Sequence, residues 1–161
     1  MPRPSPIARV AAILVAASLL LGAAGCGQKK NDLAPAACLA SSQGYLRALE
    51  RAPAPVRLAG TTKISDCLVP EQDGGQLANI GHEIVIAATK LNVEARGDPA
   101  GPAALQLGYL IGAVGKGADA IHTDLVRRLN AAARFSASGG TPSAEFERAF
   151  GRGYAAGHTS G

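Results

Sequence analysis

Apolar residues recurring at intervals of three and four, with no alternating run to set against them, constrain this chain more than any other feature. One stripe runs Leu107, Ile111, Val114, Ala118, Ile121, Leu125, Leu129, Ala132, Phe135, the spacing of a single helix face. A second, Leu77, Ile80, Ile84, Ala88 and Leu91, predicts a helix that opens between Pro70 and Gln76 and closes near Arg96, with Gly97 as its cap. A third puts Cys38, Leu39, Ser42, Tyr45, Leu46 and Leu49 on one face of a helix from Pro35 to Arg51, stopped by Pro53 and Pro55. Phe146, Phe150 and Tyr154 form the last stripe, on a helix started by Thr141-Pro142, and Gly157 to Gly161 reads as a frayed tail. Ile84-Val85-Ile86 would also suit a buried strand. Helical periodicity continues on both sides of it, and no second strand signal exists to pair with it.

These segments predict an all-α domain, a bundle of four to five helices. Gly115 and Gly117 flank Lys116 inside the longest stripe, and each weakens a helix by about 1 kcal/mol relative to Ala. Residues 102–135 are therefore read either as one bent helix or as two. With aromatic residues at 4% and no Trp, the core must be built from Leu, Ile, Val and Ala. Gly108 and Gly112 allow another helix to approach closely, in core packing or in self-association.

The first residues carry a different message. Arg3 and Arg9 precede a 12-residue apolar run, Val10 to Leu21, followed by small residues and Cys26, the order of a secretory signal. That run is too short to span a bilayer of about 30 Å comfortably. Leu19-Leu20-Leu21-Gly22-Ala23-Ala24-Gly25-Cys26 resembles the lipobox of bacterial lipoproteins, with Ala23 where Leu is usual. The resemblance covers only the leader. It implies a signal peptide over 1–25, cleavage before a diacylglyceryl-modified Cys26 and a lipidated tether over 26–34, while the apolar spacing places a helical domain over 35–158 and a disordered tail over 159–161. It also implies a location at the extracytoplasmic face of a cell membrane.

Cysteine parity agrees with that reading. Three cysteines leave an even pair once Cys26 is acylated, and Cys38 with Cys67 then suits a disulfide in an oxidising compartment. Two buried free thiols are the other arrangement. At 3.3 to 3.6 Å per extended residue the tether reaches about 30 Å at most, so the domain stays near the bilayer. Lys29 and Lys30 then either face anionic headgroups or sit in a solvated tether.

Chemistry is harder to find. Cleavage removes Arg3 and Arg9 from 16 Lys+Arg, against 12 Asp+Glu, leaving a net charge of about +2, which is no nucleic-acid footprint. Asp119 and His122 stand at i, i+3 and, with His82, are the only weak metal candidates; the second motif that a carboxylate-bridged metal pair needs is missing. Gly112-Ala-Val-Gly115-Lys116-Gly117 lacks the leading Gly and the Ser or Thr of a phosphate loop. Ser136-Ala-Ser138-Gly139 lacks the flanking Gly of a nucleophile elbow.

Arg127, Arg128 and Arg134, with Asn130, read as a solvated face, with lipid or an envelope polymer as the other occupant. The expectation is a non-catalytic module of the cell envelope, needing no cofactor and acting through an envelope protein partner. The other reading is a small-ligand or metal-binding bundle with a pocket near His82, Tyr109 and His122.

Overall fold

The computed structural model describes residues 33–134 and 140–161. The expected signal peptide over 1–25, Cys26, Lys29 and Lys30, Phe135 and the segment 136–139 lie outside the described residues. Five α-helices carry the fold: α1 Ser42–Leu49, α2 Gly74–Gly97, α3 Ala103–Gly117, α4 Thr123–Arg134 and α5 Ala144–Ser160. Three single 3₁₀ turns join them, at Ala36–Leu39, Ser65–Cys67 and Ala120–His122. No strand occurs among the described residues, which leaves an all-α bundle, and Asn31–Gly161 forms one compact unit.

Helix α3 is the centre of the bundle. Its residues from Leu107 to Val114 are all buried, and it touches each of the other four helices. The tightest partner is α5, and the reason is glycine. A Cβ at Gly108 would lie 2.1 Å from the carbonyl oxygen of Phe150, and one at Gly112 2.2 Å from that of Tyr154. The arrangement is reciprocal: a Cβ at Gly153 would lie 1.9 Å from the Leu105 oxygen, and one at Gly157 2.1 Å from that of Tyr109. Two backbones therefore meet directly, close enough for weak Cα–H···O contacts that no larger residue would permit. Gly108 and Gly112 thus serve core packing, with Gly153 and Gly157 as counterparts that the aromatic stripe on α5 concealed.

Four sequence expectations need correction, and one left open is decided. The single helix expected over 35–51 is split, because Ala40 and Ser41 are extended and the Glu83 carboxylate of α2 takes the Ser42 N–H at the start of α1. Leu39, expected on the inner face, is 51% exposed as a result. The stripe of 102–135, read as one bent helix or as two, is two, α3 and α4: a side chain at Gly117 would strike the Ser65 carbonyl at 2.3 Å, and Asp119 then caps the next turn. At α5 the cap is Ser143 rather than Thr141, its Oγ accepting from the Phe146 N–H at 3.2 Å.

The frayed tail is the fourth. Helix α5 continues through Ser160, and Gly161 is buried. Its last three carbonyls are engaged: Lys116 donates to Thr159 at 2.7 Å, Arg57 to Ser160 at 3.1 Å and the Ser65 hydroxyl to Gly161 at 2.6 Å. Two of these donors are cations at a helix C-terminus, where the dipole favours positive charge.

A single bridge joins the N-terminal segment to this frame. Cys38 and Cys67 form a disulfide with Cα atoms 5.4 Å apart. Beneath it the buried Tyr45 hydroxyl donates to the Cys38 carbonyl at 2.8 Å. Burial, with the Glu83 carboxylate adding to it, pushes that phenol well above the ordinary tyrosine range.

Candidate binding surfaces

The three residues expected to gather around a ligand do not converge. His82 is exposed on the outer side of α2, whereas Tyr109 and His122 are fully buried, each consumed by structural hydrogen bonds. The Tyr109 hydroxyl accepts from the Val56 N–H at 3.0 Å and lies 3.0 Å from Ser160 Oγ. Ser160 spends its own proton on the Ala156 carbonyl, so Tyr109 is the donor in that pair.

His122 is fixed by similar accounting. Gln72 Nε2 donates to the Cys67 carbonyl at 3.2 Å, which turns Gln72 Oε1 toward His122 Nε2, also 3.2 Å away. Nε2 therefore carries the proton, and Nδ1 accepts from the Asp119 N–H at 3.1 Å. Nδ1 also lies 2.8 Å from Asp119 Oδ1, an ion pair only if the ring gains a second proton. Both ring nitrogens are committed, which leaves no lone pair for a metal. Asp119 and His122 form a capping box rather than a ligand pair. Among the described residues no cluster of three or more His, Cys, Asp or Glu side chains is arranged to hold a metal ion.

Two concave surfaces bear on binding. The first lies where α2, α3, α4 and α5 meet, a cavity of about 280 Å³ walled by Ile111, Ala133, Phe150 and Tyr154, with Arg96 and Arg134 also lining it. Helix α2 reaches across to the end of α4 here: Asn92 donates to the Ala132 carbonyl at 3.0 Å and Arg96 to the Arg134 carbonyl at 3.3 Å. The Arg96 guanidinium stands 5.3 Å over the Phe146 ring, and Phe146 stacks on Phe150 with centroids 5.9 Å apart. Thus Phe146 is core, as expected, while Tyr154 is 41% exposed and turns toward solvent.

The second is an open groove of about 650 Å³ between α1 and the tight turn Leu58–Thr62. Gly60 has φ 80° in this turn, a left-handed conformation suited to glycine. Ala40, Gly44 and Ala48 form the floor, and Arg47, Arg51 and Arg57 stand along it. The sequence reading missed this groove, because its arginines come from two segments whose proximity only the fold sets. The face expected from Arg127, Arg128, Arg134 and Asn130 is less coherent. Arg127 pairs with Asp124, and Asn130 turns back to its own helix.

No protein family, curated protein or solved structure matches this chain. Among the described residues, no helix is long and apolar enough to cross a membrane.

Proposed function

We propose that the chain is a lipid-anchored protein of the cell envelope, held by an acylated Cys26 at the extracytoplasmic face of a membrane and acting by binding rather than catalysis. The observation that carries this reading is the Cys38–Cys67 disulfide. Such bridges persist in oxidising compartments and are rare in reducing ones. It also leaves Cys26 as the third cysteine, outside that pair and in the place where a lipobox cysteine would stand. The non-catalytic part is supported by His122 and Tyr109, buried groups capable of acid–base chemistry whose polar atoms are taken up in holding turns together.

Intact mass spectrometry of the protein extracted from membranes of a bacterial host tests the reading. The expected species begins at Cys26, carries a diacylglyceryl group, and resists alkylation at Cys38 and Cys67 until reduced. A soluble chain with three alkylatable thiols would overturn it.

The cavity edged by Arg96 favours a second reading, a small-ligand binding bundle. Apolar walls beside a cation suit a small amphipathic anion. Anilinonaphthalene sulfonate titration is the check: one saturable site, weakened by Phe150→Ala, supports it, and no saturable binding removes it.

A further inference from the structure

We propose that the groove between α1 and the Leu58–Thr62 turn docks the domain onto anionic phospholipid headgroups. This rests on the lipid-anchor reading for its biological setting but not for its chemistry. Arg47, Arg51 and Arg57 bring three cations to one groove, and no acidic side chain lines it. The concentration is local, since the whole chain has only a small excess of basic over acidic residues. Arg57 is partly spent on the Val56 and Ser160 carbonyls. Arg47 and Arg51 are exposed and make no side-chain hydrogen bond or ion pair within the described residues.

Position singles out a membrane surface as the occupant. Ala36 lines the groove, and Cys26 precedes it by ten residues. A fully extended link of that length spans about 35 Å. A lipid on Cys26 therefore keeps the groove within one domain diameter of the bilayer. The groove floor of Ala and Gly keeps no bulky side chain between a phosphodiester and the guanidinium groups. Leu39, 51% exposed, also lines the groove, and Leu33, 74% exposed, precedes it by six residues. Apolar side chains beside a basic face suit the boundary between headgroups and acyl chains.

Vesicle sedimentation of the unlipidated domain beginning at Asn31, which contains the whole described core and its bridge, tests the proposal. Its far-ultraviolet circular dichroism and blocked thiols certify the fold before each assay. The domain should sediment with phosphatidylcholine vesicles containing phosphatidylglycerol, and not with phosphatidylcholine alone. Each basic residue near such a surface is worth about fivefold in binding. The pair Arg47→Gln and Arg51→Gln should therefore weaken partitioning about 25-fold. Arg128→Gln with Arg152→Gln, the same charge change on exposed residues of α4 and α5, should cost less than a fifth of that.

Equal losses from the two pairs, or equal binding to both kinds of vesicle, would overturn the proposal. So would self-association through the groove without vesicle binding, which would assign it to a second copy of the chain. Because the domain tested has no Cys26, failure here leaves the lipid-anchor reading untouched. Conversely, an unlipidated mass in cells leaves this binding result standing.

Discussion

Replacing Gly153 by Ala tests the reasoning about the α3–α5 contact at a single atom. The new Cβ would lie 1.9 Å from the Leu105 carbonyl oxygen and 2.9 Å from the Tyr109 nitrogen. Ordinary contact begins near 3.4 Å, so the two backbones must separate by about 1.5 Å. No flexible side chain can absorb that shift, because the obstructing atoms are main chain. Separation on this scale forfeits much of the dispersion well along the interface, and overpacking of this kind typically costs about 1 to 3 kcal/mol, occasionally more. Against it stands a gain of about 1 kcal/mol from the better helix propensity of Ala.

Because the obstructing atoms are main chain, the cost is taken at about 3 kcal/mol, the upper end of that range, and the net expectation is a loss of about 2 kcal/mol. Gly151, two residues away on the same helix, is the control, since a Cβ there meets nothing within 4 Å. Gly151→Ala should stabilise the domain by about 1 kcal/mol. The two variants should then differ by about 3 kcal/mol, or about 2 M in urea midpoint if m is near 1.5 kcal/mol/M. Equilibrium unfolding followed by circular dichroism measures this directly. If Gly153→Ala proved as stable as Gly151→Ala, the close approach of α3 and α5 would be refuted.

Three further outcomes follow from the packing. Cys38→Ser should lower stability by about 3 to 4 kcal/mol under oxidising conditions, for a bridge closing a separation of 29 residues, and should match wild type in excess reductant. His122→Ala strands Gln72 Oε1 and the Asp119 N–H and empties a fully buried site. A loss of about 2 to 4 kcal/mol is expected, with no change in bound metal by elemental analysis. Tyr45 titrates at higher pH in the folded chain than in the unfolded one, so its contribution is complete below pH about 10 and is lost as pH rises above that, with a slope of up to about 1.4 kcal/mol per unit. Rapid denaturation at alkaline pH should show a steeper decline for wild type than for Tyr45→Phe.

Helix existence was legible because amphipathic periodicity survives in a single sequence. In the stripe Leu77, Ile80, Ile84, Ala88 and Leu91 the last four are buried as their spacing demands and Leu77 is half-buried, and Asp73 caps α2 within the predicted window, accepting from the Gln76 N–H at 3.0 Å. Glycine was the residue that could not be read. At Gly115 and Gly117 it pointed to a break, and a break follows. At Gly157 and Gly161 the same low propensity suggested fraying, whereas both residues pack against α3. Propensity is a local quantity, and the carbonyls that make a missing Cβ valuable belong to another helix. The basic groove was hidden for a similar reason: Arg47 and Arg57 are neighbours only after the chain has turned at Pro53 and Pro55. For His122, i, i+3 spacing correctly paired it with Asp119. Only Gln72, fifty residues away in sequence, decided that the pair braces a turn instead of binding an ion.

The burial of α3 on all sides has a consequence for synthesis. Ribosomes deliver this chain from its N-terminus, so α3 emerges before the helix whose glycines fit its own. Until the 17 residues of α5 have been made, the face around Gly108 and Gly112 lacks the helix that packs on it. During that interval the nascent chain presents a continuous apolar surface, the condition under which helices aggregate or recruit chaperones. Truncations upstream of Ala144 should therefore be insoluble rather than merely less stable, and the last helix acts as the closing step that makes the rest of the domain safe in water.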